Sequence, residues 1–273
     1  MAKGEQSDVA LNDGRSMPQL GLGVWQTPAG DAAGVVRAAV EAGYRAVDTA
    51  SAYKNEEGVG EGLRDRDVFL TTKLWNDDQG YDEALRAFDA SAERLGREHV
   101  DLYLIHWPAP KKGRFVDSWK ALVRLKREGR ARSIGVSNFN ADHIERILAE
   151  TGVAPAVNQI ELHPRFQQRA LRAFHERHNI RTQSWSPLGR ARILDDPAFA
   201  AIGRRHNKTP AQVVIRWHID SGLIVIPKTV KPERLKENID VFDFRLDPAD
   251  MAAIAALDSA DGRIGPDPLT ATF

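Results

Sequence analysis

The chain has 273 residues, 42% of them apolar, enough for one large core. Thirty-eight basic residues face 38 acidic ones, so no net field draws in nucleic acid or an anionic membrane. The absence of cysteine excludes disulfides, thiolate catalysis and cysteine-ligated metals.

Residues 1–10 are polar and read as a flexible N-terminus without a secretory leader, and no run approaches the ~18 apolar residues of a membrane span. A cytoplasmic protein is expected. Asn12-Asp13-Gly14, between Val9-Ala-Leu11 and Met17-Pro-Gln-Leu20, has the signature of a tight hairpin turn. Gly21-Leu-Gly23-Val-Trp25 follows as a first strand, its glycines marking close approach of backbone or ligand. Asp31 is read as the cap of a helix bearing Val35, Val36, Ala39 and Val40, which Gly43 ends. Strand-like and helix-like segments then alternate. Helices are predicted over Glu56 to Leu63, Asp82 to Leu95, Asp117 to Glu128 and from Asp142 onward with Gly152 just beyond its end, with strands at Arg132 to Val136, Ala156 to Gln159, Thr182 to Trp185 and Leu223 to Ile226. Thr209-Pro210-Ala211-Gln212 is a capping box. Strict alternation with short joints implies a parallel sheet. The count favours an α/β fold: one domain over residues 1–273, an eight-stranded parallel β/α (TIM) barrel with an N-terminal β-hairpin.

Three of the short apolar runs deliver a single ionisable group at their ends: Asp48, Lys73 and His106. Tyr53 follows Asp48 after a stretch of small residues. Parallel strands that end in different polar residues converge them over one opening, and this set suits proton donation. A tyrosine with a pKa of ~10 is too weak an acid at neutral pH, but a neighbouring lysine stabilises its phenolate and is expected to lower that pKa. The aspartate would keep that lysine charged, and a neutral histidine would hydrogen-bond the oxygen being protonated. Taken singly, each of these residues also reads as a cap, a solvated rim residue or, for Tyr53, a packing residue.

No dinucleotide fingerprint of Rossmann type is present: Gly21-Leu-Gly23 lacks its third glycine, and Gly58-Val-Gly60-Glu-Gly62 lies in a helix-like segment. The phosphate-site candidate is late, at Ile226-Pro-Lys228-Thr229, where a short helix begins near Pro232 with Arg234 in its first turn. The same pattern also reads as a solvated basic helix start. His175 and His178 share a helix face without a partner to complete a ligand set, so no metal is expected and both are read as solvated.

Taken together, these residues resemble the aldo-keto reductase superfamily, whose Asp, Tyr, Lys and His tetrad is matched by Asp48, Tyr53, Lys73 and His106. The likeness runs from Leu11 to Pro268 and is strongest toward the bacterial 2,5-diketo-D-gluconic acid reductases, through Pro18-Gln-Leu-Gly-Leu-Gly-Val-Trp25, Tyr53-Lys-Asn-Glu-Glu-Gly58, Thr72-Lys-Leu-Trp-Asn-Asp77, Asn158-Gln-Ile-Glu-Leu-His-Pro164 and Asp240-Val-Phe-Asp-Phe244. The resemblance implies NADPH-dependent reduction of small carbonyl compounds by a monomer. Lys228, Thr229, Val230, Arg234, Glu237 and Asn238 would hold the adenosine 2′-phosphate and adenine. Ser137, Asn138 and Gln159 would hold the nicotinamide carboxamide, Trp185 would stack on its ring, and Ser186 and Leu188 would follow the pyrophosphate, with Gly23 and Trp25 beside the cofactor. Ser137-Asn138 alone reads as a polar turn and Trp185 alone as a core aromatic. A substrate pocket walled by Trp25, Trp75, His106 and Trp107 is expected, with Lys111, Lys112, Arg114 and Arg190 available to favour an anion. Arg190-Ala191 replaces the family's usual Gln-Gly. The alternative is a non-catalytic NADPH-binding redox sensor of the same fold, and a metal-dependent barrel hydrolase lacks ligands.

Overall fold

The structure, a computed structural model, describes residues 5–271. It opens with an antiparallel hairpin, β1 (Asp8–Ala10) and β2 (Ser16–Pro18), with Val9 opposite Met17. Gly14 takes φ +83° in the turn, a conformation L side chains rarely adopt, which is why the Asp-Gly pair sits there. Residues 1–4, part of the N-terminal stretch expected to be flexible, lie outside the described residues; beyond them Gln6 Nε2 donates to Leu20 O, and Arg45 holds both Gln6 and Asp8. Arg15 Nε donates to Arg132 O and Arg181 Nε to Ala10 O, so the hairpin lies across the strands' N-terminal ends.

Eight parallel strands follow, β3 (Leu22–Gly23), β4 (Ala46–Asp48), β5 (Phe69–Leu74), β6 (Val100–Ile105), β7 (Ala131–Ser137), β8 (Val157–Glu161), β9 (Arg181–Trp185) and β10 (Ile224–Val225), each bonded to the next. The sheet curls until its ends meet. Val225 N–H donates to Gln19 O (2.8 Å), Gly21 N–H to Val225 O (2.9 Å) and Gly23 N–H to Pro227 O (3.1 Å). Gly23 is confined at this seam, since a Cβ there would lie 3.0 Å from Ile226 O. The result is an α/β fold consistent with a TIM-like barrel. The first strand is shorter than its sequence pattern, and Trp25 falls in the loop beyond it.

The strand period of two divides the core. Leu102 and Leu104 pack with Leu11 and Met17 of the hairpin segment in one cluster, while Tyr103 and Ile105 join the larger cluster that the helices cover. Those helices are α1 (Ala29–Ala42), α2 (Glu56–Gly62), α3 (Tyr81–Leu95), α4 (Phe115–Arg127), α5 (Ala141–Thr151), α6 (Arg169–Arg177), α7 (Pro197–His206), α8 (Pro210–Asp220), α9 (Pro232–Ile239) and α10 (Pro248–Ala255). Thr209 Oγ1 accepts from Gln212 N–H while Gln212 Oε1 accepts from Thr209 N–H, the expected capping box of α8. Asp31 does not cap α1; Pro28 occupies that position, and Asp31 lies in the first turn, where its charge favours the helix dipole.

The α2 glycines serve packing. A Cβ on Gly60 would meet Leu95 O at 2.3 Å, and one on Gly62 would meet Val36 at 2.8 Å. Gly60→Ala is therefore expected to destabilise by about 1–3 kcal/mol despite alanine's better helix propensity. Urea unfolding checks this; a stabilised variant would show that α2 has room to move away from α3.

His175 is a correction. Rather than being solvated, it is buried on the face of α6 toward the sheet, its Nε2 2.9 Å from Asn158 Nδ2 and its Nδ1 2.9 Å from Thr182 Oγ1. A helical repeat in one sequence does not say which face meets the sheet. Burial pushes His175 down to about 3, and His218, buried beside Val214 O and Leu162 O, down to about 4. Both stay neutral in the folded state, whereas the unfolded chain binds protons below ~6.5. Acidification therefore favours unfolding, and going from pH ~6.5 to ~5 is expected to cost about 2 kcal/mol per histidine. Denaturant melts at the two pH values test this, with His175→Gln removing its share of the loss; a flat profile would contradict it.

Candidate active site

Asp48 ends β4, Lys73 lies on the neighbouring β5, His106 follows β6, and Tyr53 occupies a short 3₁₀ turn, Ser51–Tyr53, beyond β4. Asp48 is inward on its strand, as are Lys73 and Gln159 on theirs, so the sheet's alternation brings them together at the C-terminal rim. Lys73 is fully buried and spends its three ammonium hydrogens on Asp48 Oδ1, on Thr49 O at 2.8 Å and on the Tyr53 hydroxyl at 3.4 Å. The second Asp48 oxygen accepts from Gln159 Nε2 at 2.7 Å. The His106 ring meets Tyr53 edge to face at 5.6 Å and Trp75 at 5.2 Å. The structure thus brings all four tetrad candidates to one point.

Burial acts against the Lys73 ammonium, but Asp48 and Tyr53 together outweigh it and raise Lys73 above its usual value. Burial, joined by repulsion from Lys73, holds His106 well below the ordinary histidine range, so its imidazole is neutral at pH 7. Tyr53 corrects the sequence expectation. Burial raises its phenol, with Lys73 pulling in the opposite direction without prevailing. Its hydroxyl therefore carries its proton firmly at neutral pH, and the lysine matters for the phenolate left once that proton is given.

A cleft of about 1250 Å³ opens above this cluster. Its walls include Gly23, Trp25, Trp75, Trp107, Ser137, Asn138, Gln159, Trp185, Ser186 and Lys228. Asn138, in the left-handed region at φ +62°, ties its neighbours together: Oδ1 accepts from Trp185 Nε1 (2.8 Å), and Nδ2 donates to His106 O and Ser137 Oγ (both 3.0 Å). The other cofactor candidates lie outside the cleft lining. Leu188 packs against the core, Thr229 caps the Lys231 N–H, Val230 is exposed, Arg234 is exposed on α9, the Glu237 carboxylate accepts from Thr209 Oγ1 (2.6 Å), and Asn238 is buried. Of the four cations read as anion-selecting, Lys112 pairs with Asp77 and Arg114 with Glu83, Lys111 is not in the cleft lining, and Arg190 alone lines it, 5.1 Å over the Trp25 ring. Among the described residues no three His, Asp or Glu side chains cluster to hold a metal ion, and no helix is long and apolar enough to cross a membrane.

The profile of the Aldo/keto reductase family matches residues 18–259. The chain belongs to the aldo/keto reductase family. It is 55% identical over 270 residues to an aldo-keto reductase of Mycolicibacterium smegmatis, covering 97% of this chain and 98% of that protein. To the methylglyoxal reductase DkgA of Escherichia coli K12 it is 49% identical over 267 residues, covering 95% and 96%. Among solved structures, a Gox0644 mutant in complex with NADPH superposes with TM-score 0.97 at 61% identity, covering 98% of this chain and 100% of that one.

Several residues of this reductase's site were not singled out in the sequence. Ser51 Oγ donates to Lys73 O (3.0 Å), Asn55 crosses from Thr49 to Val24 O and Thr27 O, and Gln183 Oε1 accepts from Gln159. Pro266, from the C-terminal tail, lines the cleft. Asn55 lies within the Tyr53–Gly58 motif and Ser51 in the small-residue stretch before Tyr53; Pro266 has no signal short of the folded tail.

Proposed function

We propose that this aldo/keto reductase reduces aldehydes and ketones to alcohols with NADPH, as a single-domain monomer, with Tyr53 as proton donor. The observation that carries the reading is the convergence of a buried Asp48–Lys73 pair, the Tyr53 hydroxyl and a neutral His106 at the floor of one cleft. Cleft size fits a dinucleotide with a small substrate beside it. So does its lining, with an indole pinned at one end by Asn138 and a lysine at the other, and among the described residues neither Lys228 nor Arg234 has an acidic partner. Kinship with methylglyoxal reductases supports small carbonyl substrates.

Ser137, Asn138, Gln159 and Trp185 would hold the nicotinamide end, Ser186 and Leu188 the pyrophosphate, and Lys228, Thr229, Val230, Arg234, Glu237 and Asn238 the adenosine phosphate end, with Gly23 and Trp25 alongside. NADPH held there would supply the hydride for the carbonyl carbon. Tyr53 gives its proton to the carbonyl oxygen, completing the alcohol, and the Lys73 ammonium stabilises the phenolate that remains. Asp48 keeps Lys73 charged throughout. His106, being neutral, hydrogen-bonds the same oxygen and orients it toward Tyr53. Trp25, Trp75 and Trp107 present apolar faces to the rest of the substrate.

Initial rates of NADPH oxidation on methylglyoxal, an aromatic aldehyde, a β-keto ester and 2,5-diketogluconate rank the substrate class. Arg234→Ala is expected to raise the NADPH Kd about tenfold or more through loss of a charge-assisted contact to the 2′-phosphate, with little effect on NADH. Equal losses for both cofactors would remove the 2′-phosphate assignment.

A further inference from the structure

Glu161 ends β8 two residues after Gln159, so the strand's alternation points both side chains the same way. It is 1% exposed and absent from the cleft lining. Two of its three partners are remote in sequence. Oε1 accepts the Ile264 N–H at 2.6 Å and lies 3.3 Å from His163 Nε2, while Oε2 accepts the Gly265 N–H at 2.9 Å. A buried carboxylate is costly unless it is paired and hydrogen-bonded, and here two consecutive backbone amides of the tail do most of that work. Burial opposes the anion, yet His163 and these amides hold its carboxyl below the usual range, so the grip is intact at neutral pH.

What the tail does when held there is visible in Gly265. A Cβ at that position would lie 2.4 Å from Trp185 Cη2 and 2.8 Å from Glu161 Oε2, so the tail backbone lies flush against the indole edge, with Pro266 at the cleft. The indole's other end is tied by Nε1–H to Asn138 Oδ1, and Asn138 in turn to His106 O. Trp185 is thus gripped from both sides, by Asn138 and by a backbone segment with no side-chain attachment of its own at Gly265.

We propose that Glu161 is a positioning residue that clasps the C-terminal tail against Trp185 and so fixes the aromatic platform and the rim of the cleft on which NADPH binding depends. The inference rests on the cofactor reading of the cleft, but the clasp itself is read without cofactor.

Glu161→Gln keeps the size of the side chain but replaces one acceptor oxygen with a donor that faces an N–H. Trypsin cleavage after Arg263, followed by mass spectrometry without NADPH, reports tail release and is expected to quicken about tenfold, the scale of losing a hydrogen bond to a charged group. The NADPH Kd, from fluorescence titration, is expected to rise about fivefold or more as base-type stacking on Trp185 loosens, with kcat at saturating cofactor held within about threefold. Gly265→Ala leaves Glu161 in place but forces the tail off the indole, and should reproduce both effects, so a folding failure of one variant leaves the other to decide. Unchanged cleavage in a folded variant would overturn the clasp. Faster cleavage with an unaltered NADPH Kd would overturn its role in fixing the platform. If the unsubstituted protein binds no NADPH at all, the cofactor reading fails, while the cleavage result still decides whether Glu161 holds the tail.

Discussion

Tyr53→Phe is expected to abolish turnover, by at least the roughly 10²–10⁴ that a positioned general acid contributes, while leaving the NADPH Kd within a few-fold. The separation follows from what the substitution removes. The phenyl ring keeps its edge contact with His106, and only the hydroxyl is lost, whose one hydrogen bond is the long 3.4 Å contact with Lys73. Stability should therefore change little, which distinguishes a chemical loss from a folding one. Because burial raises the Tyr53 phenol, the wild-type residue stays protonated through neutral pH, and activity should decline only on the alkaline side of an ordinary tyrosine. Rate and affinity measured on the same preparation check this. Turnover within tenfold of the parent would remove Tyr53 from the mechanism.

The second large effect is expected at Lys73. Lys73→Met removes the charge that stabilises the phenolate and leaves Asp48 buried with Gln159 as its remaining side-chain partner. An uncompensated buried charge costs about 3–5 kcal/mol, so both turnover and stability should fall. Adding Asp48→Asn removes the orphaned charge while keeping an acceptor for Gln159 Nε2. The double variant should regain most of the stability and none of the turnover. A cycle of denaturant melts and rate assays over the four proteins separates the two losses. A double variant no more stable than Lys73→Met would show that the buried pair is not what the single substitution disrupts.

Much of the architecture was legible because it is written locally. The Asp13-Gly14 turn, the Thr209–Gln212 capping box and the alternation of apolar runs with amphipathic ones each need only near neighbours. Asp48, Lys73 and His106 were legible because each closes a short strand-like run, and a parallel sheet places such positions on one rim. What escaped depends on partners distant in the chain. His175 looked solvated because its helix face toward Asn158 and Thr182 is decided by docking, not by spacing. Glu161 carries no signal beyond its place in the Asn158–Pro164 motif, since two of its partners are backbone amides about a hundred residues away, which have no side-chain pattern. The direction of the Tyr53 shift was misjudged for a related reason: a neighbouring cation can be inferred from sequence, but the depth of burial that outweighs it cannot.

The measurement that tests the central claim most directly is NADPH oxidation by the purified, unsubstituted protein with methylglyoxal, with the alcohol product identified. Saturable, stoichiometric formation of the alcohol is the predicted result. Tight NADPH binding with no turnover of methylglyoxal or of the other carbonyls in the panel would contradict it, and would favour a redox-sensing role for the same cleft.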